Sequence, residues 1–143
     1  MVSLTLSDSF CVDRHRDDFL ALVDDEVDLL FGNEAELISL YQTETFDEAV
    51  DELRQHCEFA AITVGASGSI IVTADELIEV AAVPVRRVID TTGAGDLYAA
   101  GFLHGLTSGR PLHECGRLGS IAAGEVISHV GPRPLVELRT LLG

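Results

Sequence analysis

Seven consecutive residues, Asp90-Thr91-Thr92-Gly93-Ala94-Gly95-Asp96, set two carboxylates, two hydroxyls and two glycines between a β-branched run, Val83 to Ile89, and a helical run, Leu97 to Leu106. The pattern reads as a strand, a glycine turn and the start of a helix. Glycines at 93 and 95 let the backbone bend and let a ligand come close, and the first amides of a helix have no partner of their own. Such a turn is an anion site. Asp96, in the first helical turn, puts a carboxylate beside the anion, an unfavourable neighbour unless it has a chemical role. Phosphoryl transfer to a hydroxyl gives it one, since the carboxylate accepts the hydroxyl proton while amides and a metal ion take up charge on the transferring group. A plainer alternative has Thr92 capping the helix, the glycines turning the chain and Asp96 complementing the helix dipole. It explains each residue singly, but not the crowding of Asp90, Thr91 and Thr92 before a loop that already has its cap.

Asp90 to Asp96 resembles the second signature, D-T-x-G-A-G-D, of the ribokinase-like (PfkB) family of carbohydrate and nucleoside kinases, which is followed by a small-residue helix. The resemblance implies that Asp96 is the catalytic base and that Gly93, Ala94 and Gly95 form the anion hole. Tyr98 stands where the family often has Phe. The resemblance also implies ATP and Mg²⁺ as cofactors. In family members that bind a monovalent cation such as K⁺, the start of the signature and a later turn contribute oxygens, which makes Asp90 and Thr92 candidates.

Three further positions carry the likeness less specifically. Asn33 and Glu36 form an N-x-x-E pair that in the family lies near metal and phosphates; by itself the pair is equally a capping box. A capped helix end with a carboxylate can hold Mg²⁺ through water. Thr63, Gly65 and Gly68 match a T-x-G-x-x-G segment that touches nucleotide in the family, although Ser67 stands where many members have a basic residue, and a plain hairpin explains the same glycines. Ser120 falls at a base-contacting position by the family pattern.

The elements that must position these residues alternate. Val2 to Leu6 reads as a strand, Asp13 to Asp24 as an amphipathic helix, Val27 to Phe31 as a strand, and Glu34 to Tyr41 as a helix capped by Asn33. Phe46 to Cys57 has Phe46, Ala49, Val50, Leu53 and Cys57 on one face and reads as a surface helix. Phe59 to Val64 and Ser69 to Thr73 form a hairpin, with Leu77 to Val80 next. Val83 to Ile89 leads into the signature, Pro84 marking it as an edge or strand entry. Pro111 to His129 is a helix thinned by Gly116, Gly119 and Gly124, ended by Gly131-Pro132, and Leu135 to Leu142 closes the chain with a short helix. The expectation is an α/β fold, a ribokinase-like three-layer α/β/α arrangement with a mostly parallel sheet and a hairpin, present over residues 1–143 as an incomplete, C-terminal half.

The chain has 143 residues, 47% of them apolar, enough for a core. Twenty-four acidic against nine basic residues give a net charge of −15, which repels nucleic acid and anionic membranes. Phosphate must then be held by local amides and a cation. Cys11, Cys57 and Cys115 have no paired spacing and read as idle thiols in a reducing cytoplasm. Met1 to Phe10 lacks the form of a signal peptide, and the run Phe59 to Ala74 is broken by Gly65 and Gly68, which fits a hairpin better than a membrane span.

The family's first signature, its acceptor-gripping acid and its small β lid find no counterpart here. The expected activity is therefore ATP-dependent phosphorylation of an alcohol on a sugar or nucleoside, adenosine-kinase-like, carried here by the nucleotide-binding half and absent or very weak in this chain alone. The alternatives are a nucleotide-binding module, alone or assembled with another chain, and a non-binding structural domain. Val2 to Leu6 is expected as an open sheet edge, ready to pair with a second copy or another chain.

Overall fold

The computed structural model describes residues 1–142. Five strands and seven α-helices follow one another as β1 (Ser3–Thr5), α1 (Ser9–Arg14), α2 (Arg16–Asp25), β2 (Leu29–Asn33), α3 (Glu34–Tyr41), α4 (Phe46–His56), β3 (Phe59–Thr63), β4 (Ser69–Thr73), β5 (Leu77–Val80), α5 (Ala94–Thr107), α6 (Leu112–Val126) and α7 (Arg139–Leu142). They form two compact units, one of Met1–Gly65 with Ile70–Ile78 and one of Ala66–Ser69 with the chain from Glu79 onward.

The sheet runs in the order β1-β2-β3-β4-β5. β1 and β2 are parallel, with Ser3 opposite Leu29, and β2 and β3 are parallel, from Leu29 opposite Phe59 to Asn33 opposite Thr63. Helices make both crossovers, as parallel neighbours require. The links 64–68 and 74–76 are too short for a crossover, so β4 and β5 turn back and the sheet is mixed. β1 is an edge strand, as expected of Val2 to Leu6. Leu29, Leu30 and Phe31 are all buried, the pattern of a strand covered on both faces. Leu6, Val12, Val23, Leu37, Leu40, Leu53 and Ile62 complete the core of this unit. α4 turns Ala49, Val50 and Leu53 inward, and its start is fixed by a second capping box, Thr45 with Glu48.

In the second unit, α5 and α6 pack backbone to backbone. A Cβ on Gly101 would lie 2.5 Å from the Leu118 carbonyl oxygen, and one on Gly119 would lie 2.8 Å from that of Tyr98. Tyr98 is buried and its hydroxyl donates to Ser69 Oγ at 2.7 Å, which satisfies both groups.

Several boundaries differ from expectation. The helix expected over Asp13 to Asp24 is two helices, because the chain breaks at His15 (φ −121°, ψ 30°) and α1 starts earlier, with Asp8 accepting the Cys11 amide at 2.8 Å. Val83 to Ile89 is not a strand. Pro84 has no amide to donate, and the amides of Val83 and Ile89 find Ser120 Oγ and the Ile127 carbonyl instead of a ladder. α5 begins at Ala94 instead of Leu97, α6 ends at Val126 instead of His129, and the closing helix is confined to Arg139–Leu142. Cys11, Cys57 and Cys115 are free, and Cys115 is buried. Among the described residues no helix is long and apolar enough to cross a membrane.

Candidate active site

The loop before α5 is shaped by Asp90. Its Oδ1 accepts the Thr92 amide at 2.9 Å and its Oδ2 accepts the Gly131 amide at 2.9 Å. These bonds reach full strength only with the ionised carboxylate. The Thr92 hydroxyl first, then the Gly131 and Thr92 amides, hold the Asp90 pKa down to about 2. Behind it the amides of Ile89 and Asp90 both reach the Ile127 carbonyl, at 2.8 and 3.4 Å.

Gly93 is the N-cap of α5, at φ 80°, ψ 1°, and no side chain caps the helix. The alternative in which Thr92 is the cap is therefore not what forms. Glycine is required here by the fold itself: φ lies in the left-handed region, and a Cβ would come within 2.8 Å of Pro132 Cβ. Gly95 is different. Its backbone lies outside the left-handed region and a Cβ would meet nothing within 4 Å, so packing gives no reason for glycine there, whereas a close ligand does.

The Ala94 amide donates to the Thr91 carbonyl at 3.1 Å and the Leu97 amide to the Gly93 carbonyl at 2.9 Å. Among the described residues no partner stands opposite the amides of Gly93, Gly95 and Asp96. Of the three residues assigned to the anion hole, Gly93 and Gly95 thus keep a free donor and Ala94 has spent its own. The Asp96 side chain is exposed beside them. An exposed carboxylate next to unpartnered amides can accept a proton while the amides receive negative charge.

Ser120 is buried on α6, and its oxygen accepts the Val83 amide at 3.3 Å. That contact ties the segment before the signature to α6. Gly68 is buried at φ 111°, and a Cβ would lie 2.0 Å from the Val80 carbonyl oxygen, so a close approach of backbone to backbone fixes this glycine. Gly65, at φ 53°, has open space around it.

In the first unit, Asn33 and Thr63 are register partners at the carboxyl ends of two parallel strands, where α/β sheets place their ligands. Thr63 donates to the Gly32 carbonyl at 3.4 Å. Asn33 and Glu36 make the reciprocal capping box: the Glu36 amide donates to Asn33 Oδ1 at 2.9 Å, and Glu36 receives the Asn33 amide at 2.9 Å and its side-chain NH₂ at 3.0 Å. Glu36 is only 7% exposed. Burial raises its pKa, the Asn33 amide opposes that, and the Asp8 charge adds to it. Among the described residues no cluster of three or more His, Cys, Asp or Glu could hold a metal ion. The pair still fits Mg²⁺ held through water, because each Glu36 oxygen keeps a lone pair beyond its one bond.

Gly131 and Pro132, which hold Asp90 and Gly93, read in the sequence as a helix stop, and the family resemblance brought the turn after that helix together with the start of the signature as a source of oxygens for a cation. The hydrogen bond between Asp90 and Gly131, 41 residues apart, is not read from any spacing in the sequence.

Polar side chains at the strand ends of a partly parallel α/β sheet, and free amides at an uncapped helix N-terminus, are two features with which α/β proteins in general receive anionic ligands. The chain belongs to the pfkB family carbohydrate kinases, whose profile matches residues 2–138. Its fold is the ribokinase-like α/β fold. A solved adenosine kinase from Sinorhizobium meliloti is 53% identical, with a TM-score of 0.95 over 97% of this chain and 43% of that one. The ribokinase of Arabidopsis thaliana, solved with ribose and ATP, is 30% identical, with a TM-score of 0.71 over 77% of this chain and 37% of its own. A nucleoside kinase of Methanocaldococcus jannaschii is 31% identical over 82% of this chain and 38% of its own length. The chain thus spans about two fifths of the length of these relatives.

Proposed function

We propose that residues 1–143 are the C-terminal, nucleotide-binding and catalytic-base part of an ATP-dependent kinase acting on an alcohol group of a sugar or nucleoside, adenosine-kinase-like in its acceptor. The observation that carries this reading is the exposed Asp96 carboxylate beside the unpartnered amides of Gly93, Gly95 and Asp96, with a glycine at 95 that packing does not need. The 53% identity to an adenosine kinase supports the acceptor class.

In the proposed reaction Asp96 accepts the proton of the acceptor hydroxyl as its oxygen bonds to the γ-phosphorus of ATP. The bond from that phosphorus to the β,γ-bridging oxygen breaks, and its electron pair leaves with ADP. The free amides donate to the equatorial oxygens as charge builds. Thr63, Gly65, Gly68, Thr92 and Ser120 are assigned to the nucleotide. Mg²⁺ would neutralise phosphate charge when bound, and Asn33 and Glu36 would hold it through its hydration shell. Asp90 and Thr92 offer only oxygens, which suits a monovalent cation such as K⁺. A cytoplasmic location agrees with three free cysteines. The net charge of −15 argues against a nucleic-acid partner.

One observation favours a second reading, a nucleotide-binding module that is inactive alone or assembles with another chain: only about two fifths of the relatives' length is present. An acceptor that is not positioned in line reacts slowly. Calorimetric titration with ATP·Mg²⁺, beside Gly95→Glu, tests the common part of both. Binding by the parent that is lost in the variant places phosphate at the loop; a folded parent that does not bind overturns the assignment for this chain.

A further inference from the structure

Glu125 lies near the end of α6 with its side chain 10% exposed. Its Oε1 accepts two hydrogen bonds, from His129 Nε2 at 3.2 Å and from the Leu135 amide at 3.0 Å, while its Oε2 is buried without a partner. A carboxylate this deep is costly unless it is paired and hydrogen-bonded, so its two bonds on Oε1 are what offset its burial. The proposed phosphoryl chemistry makes no use of it.

What it holds is a chain reversal. Residues 129 and 135 are both fastened to the one oxygen, and between them lie Gly131, which donates to Asp90, and Pro132, which abuts Gly93. Just before the reversal, the Ile127 carbonyl receives the amides of Ile89 and Asp90. The loop that enters α5 is thus gripped by residues 127–132, and that grip is closed by Glu125.

We propose that Glu125 is a positioning residue for the phosphate-binding loop, its Oε1 fastening both ends of the 129–135 reversal so that Gly131 and Pro132 keep Asp90 and Gly93 in place. The proposal rests on the reading of 92–96 as a phosphate loop, and its test separates the two. Amide hydrogen exchange by NMR and ATP·Mg²⁺ calorimetry are run on the parent, Glu125→Ala and Glu125→Gln. In Glu125→Ala the amides of Thr92 and Gly131 exchange roughly tenfold faster and ATP binds roughly tenfold more weakly, while the amides of α3 and α4 are unchanged. Glu125→Gln keeps an acceptor for both donors and restores both quantities. Unchanged exchange at Thr92 and Gly131 in Glu125→Ala, or a Gln variant as impaired as Ala, overturns the proposal. Should Glu125→Ala not fold, His129→Ala removes one of the two bonds and must loosen the same two amides; if it does not, the proposal fails. Faster exchange in a series whose parent binds no ATP rejects the phosphate reading alone and leaves the positioning role standing.

Discussion

The Asp90 carboxylate and the Gly131 amide, 41 residues apart, meet at 2.9 Å and join the signature loop to the turn after α6. Asp90 has its pKa lowered to about 2, against about 4 for an ordinary aspartate. A carboxylate with a depressed folded-state pKa adds stability above its unfolded value and loses it as pH falls through the folded one. The stability difference between the parent and Asp90→Asn is therefore expected to be full above about pH 4 and to shrink toward pH 2. Chemical denaturation at several pH values measures it; a difference that stays constant across that window contradicts the assignment.

Gly93 and Gly95 should respond oppositely to alanine. Gly93→Ala forces a side chain into the left-handed region and against Pro132, at a cost of about 1–2 kcal/mol or more. Gly95→Ala meets open space in the first turn of a helix, and stability should be unchanged or rise by up to ~1 kcal/mol. Thermal melts of the two variants decide this, and equal losses in both would refute the distinction.

Asp96→Asn should leave ATP affinity unchanged or improved, since a negative charge beside the phosphate is removed while the amides remain. If the proposed phosphoryl transfer is measured, it should fall by about 10²–10⁴-fold in the variant, the usual contribution of a positioned base. Calorimetry and a product assay on the same preparations test both halves. A variant that retained full transfer would remove Asp96 from the chemistry.

Asn33→Ala deletes the side-chain cap of α3 and the side-chain donor to a buried carboxylate, while the backbone donor stays, for a loss of about 1–2 kcal/mol. Burial already raises the Glu36 pKa; the Asn33 backbone amide that opposes the rise stays in the variant, but the side-chain NH₂ bonded to Glu36 Oε1 is lost, and losing a bond to the charged form raises the pKa further. A raised folded-state pKa gives stability that is present below the unfolded value and lost as pH rises through the folded one. The variant's deficit should therefore grow as pH rises through the raised folded-state pKa, above the ordinary glutamate value of 4.5. A pH-independent deficit would mean that the cap alone, and not the carboxylate, is at stake.

Local chemistry carried much of the fold into the sequence. Glu34 to Tyr41, Ser69 to Thr73 and Leu77 to Val80 appear with their expected bounds, since a capping box, a glycine turn and alternating side chains act over a few residues. The signature loop was legible for the same reason: seven contiguous residues hold its glycines and its carboxylates.

What the sequence by itself determined is therefore the short elements Glu34 to Tyr41, Ser69 to Thr73 and Leu77 to Val80, and the residue types of Asp90 to Asp96. Tertiary structure decided the rest. Only packing shows that Gly93 and Gly68 are demanded by their neighbours in space while Gly95 is not, because that depends on Pro132 and Val80. It also decided that Val83 to Ile89 takes its partners from α6 and the turn after it instead of a strand, and that Asp90 answers to Gly131. Hydrogen bonds and steric contacts act over ångströms in space, and the chain's order does not say which distant residues will share them.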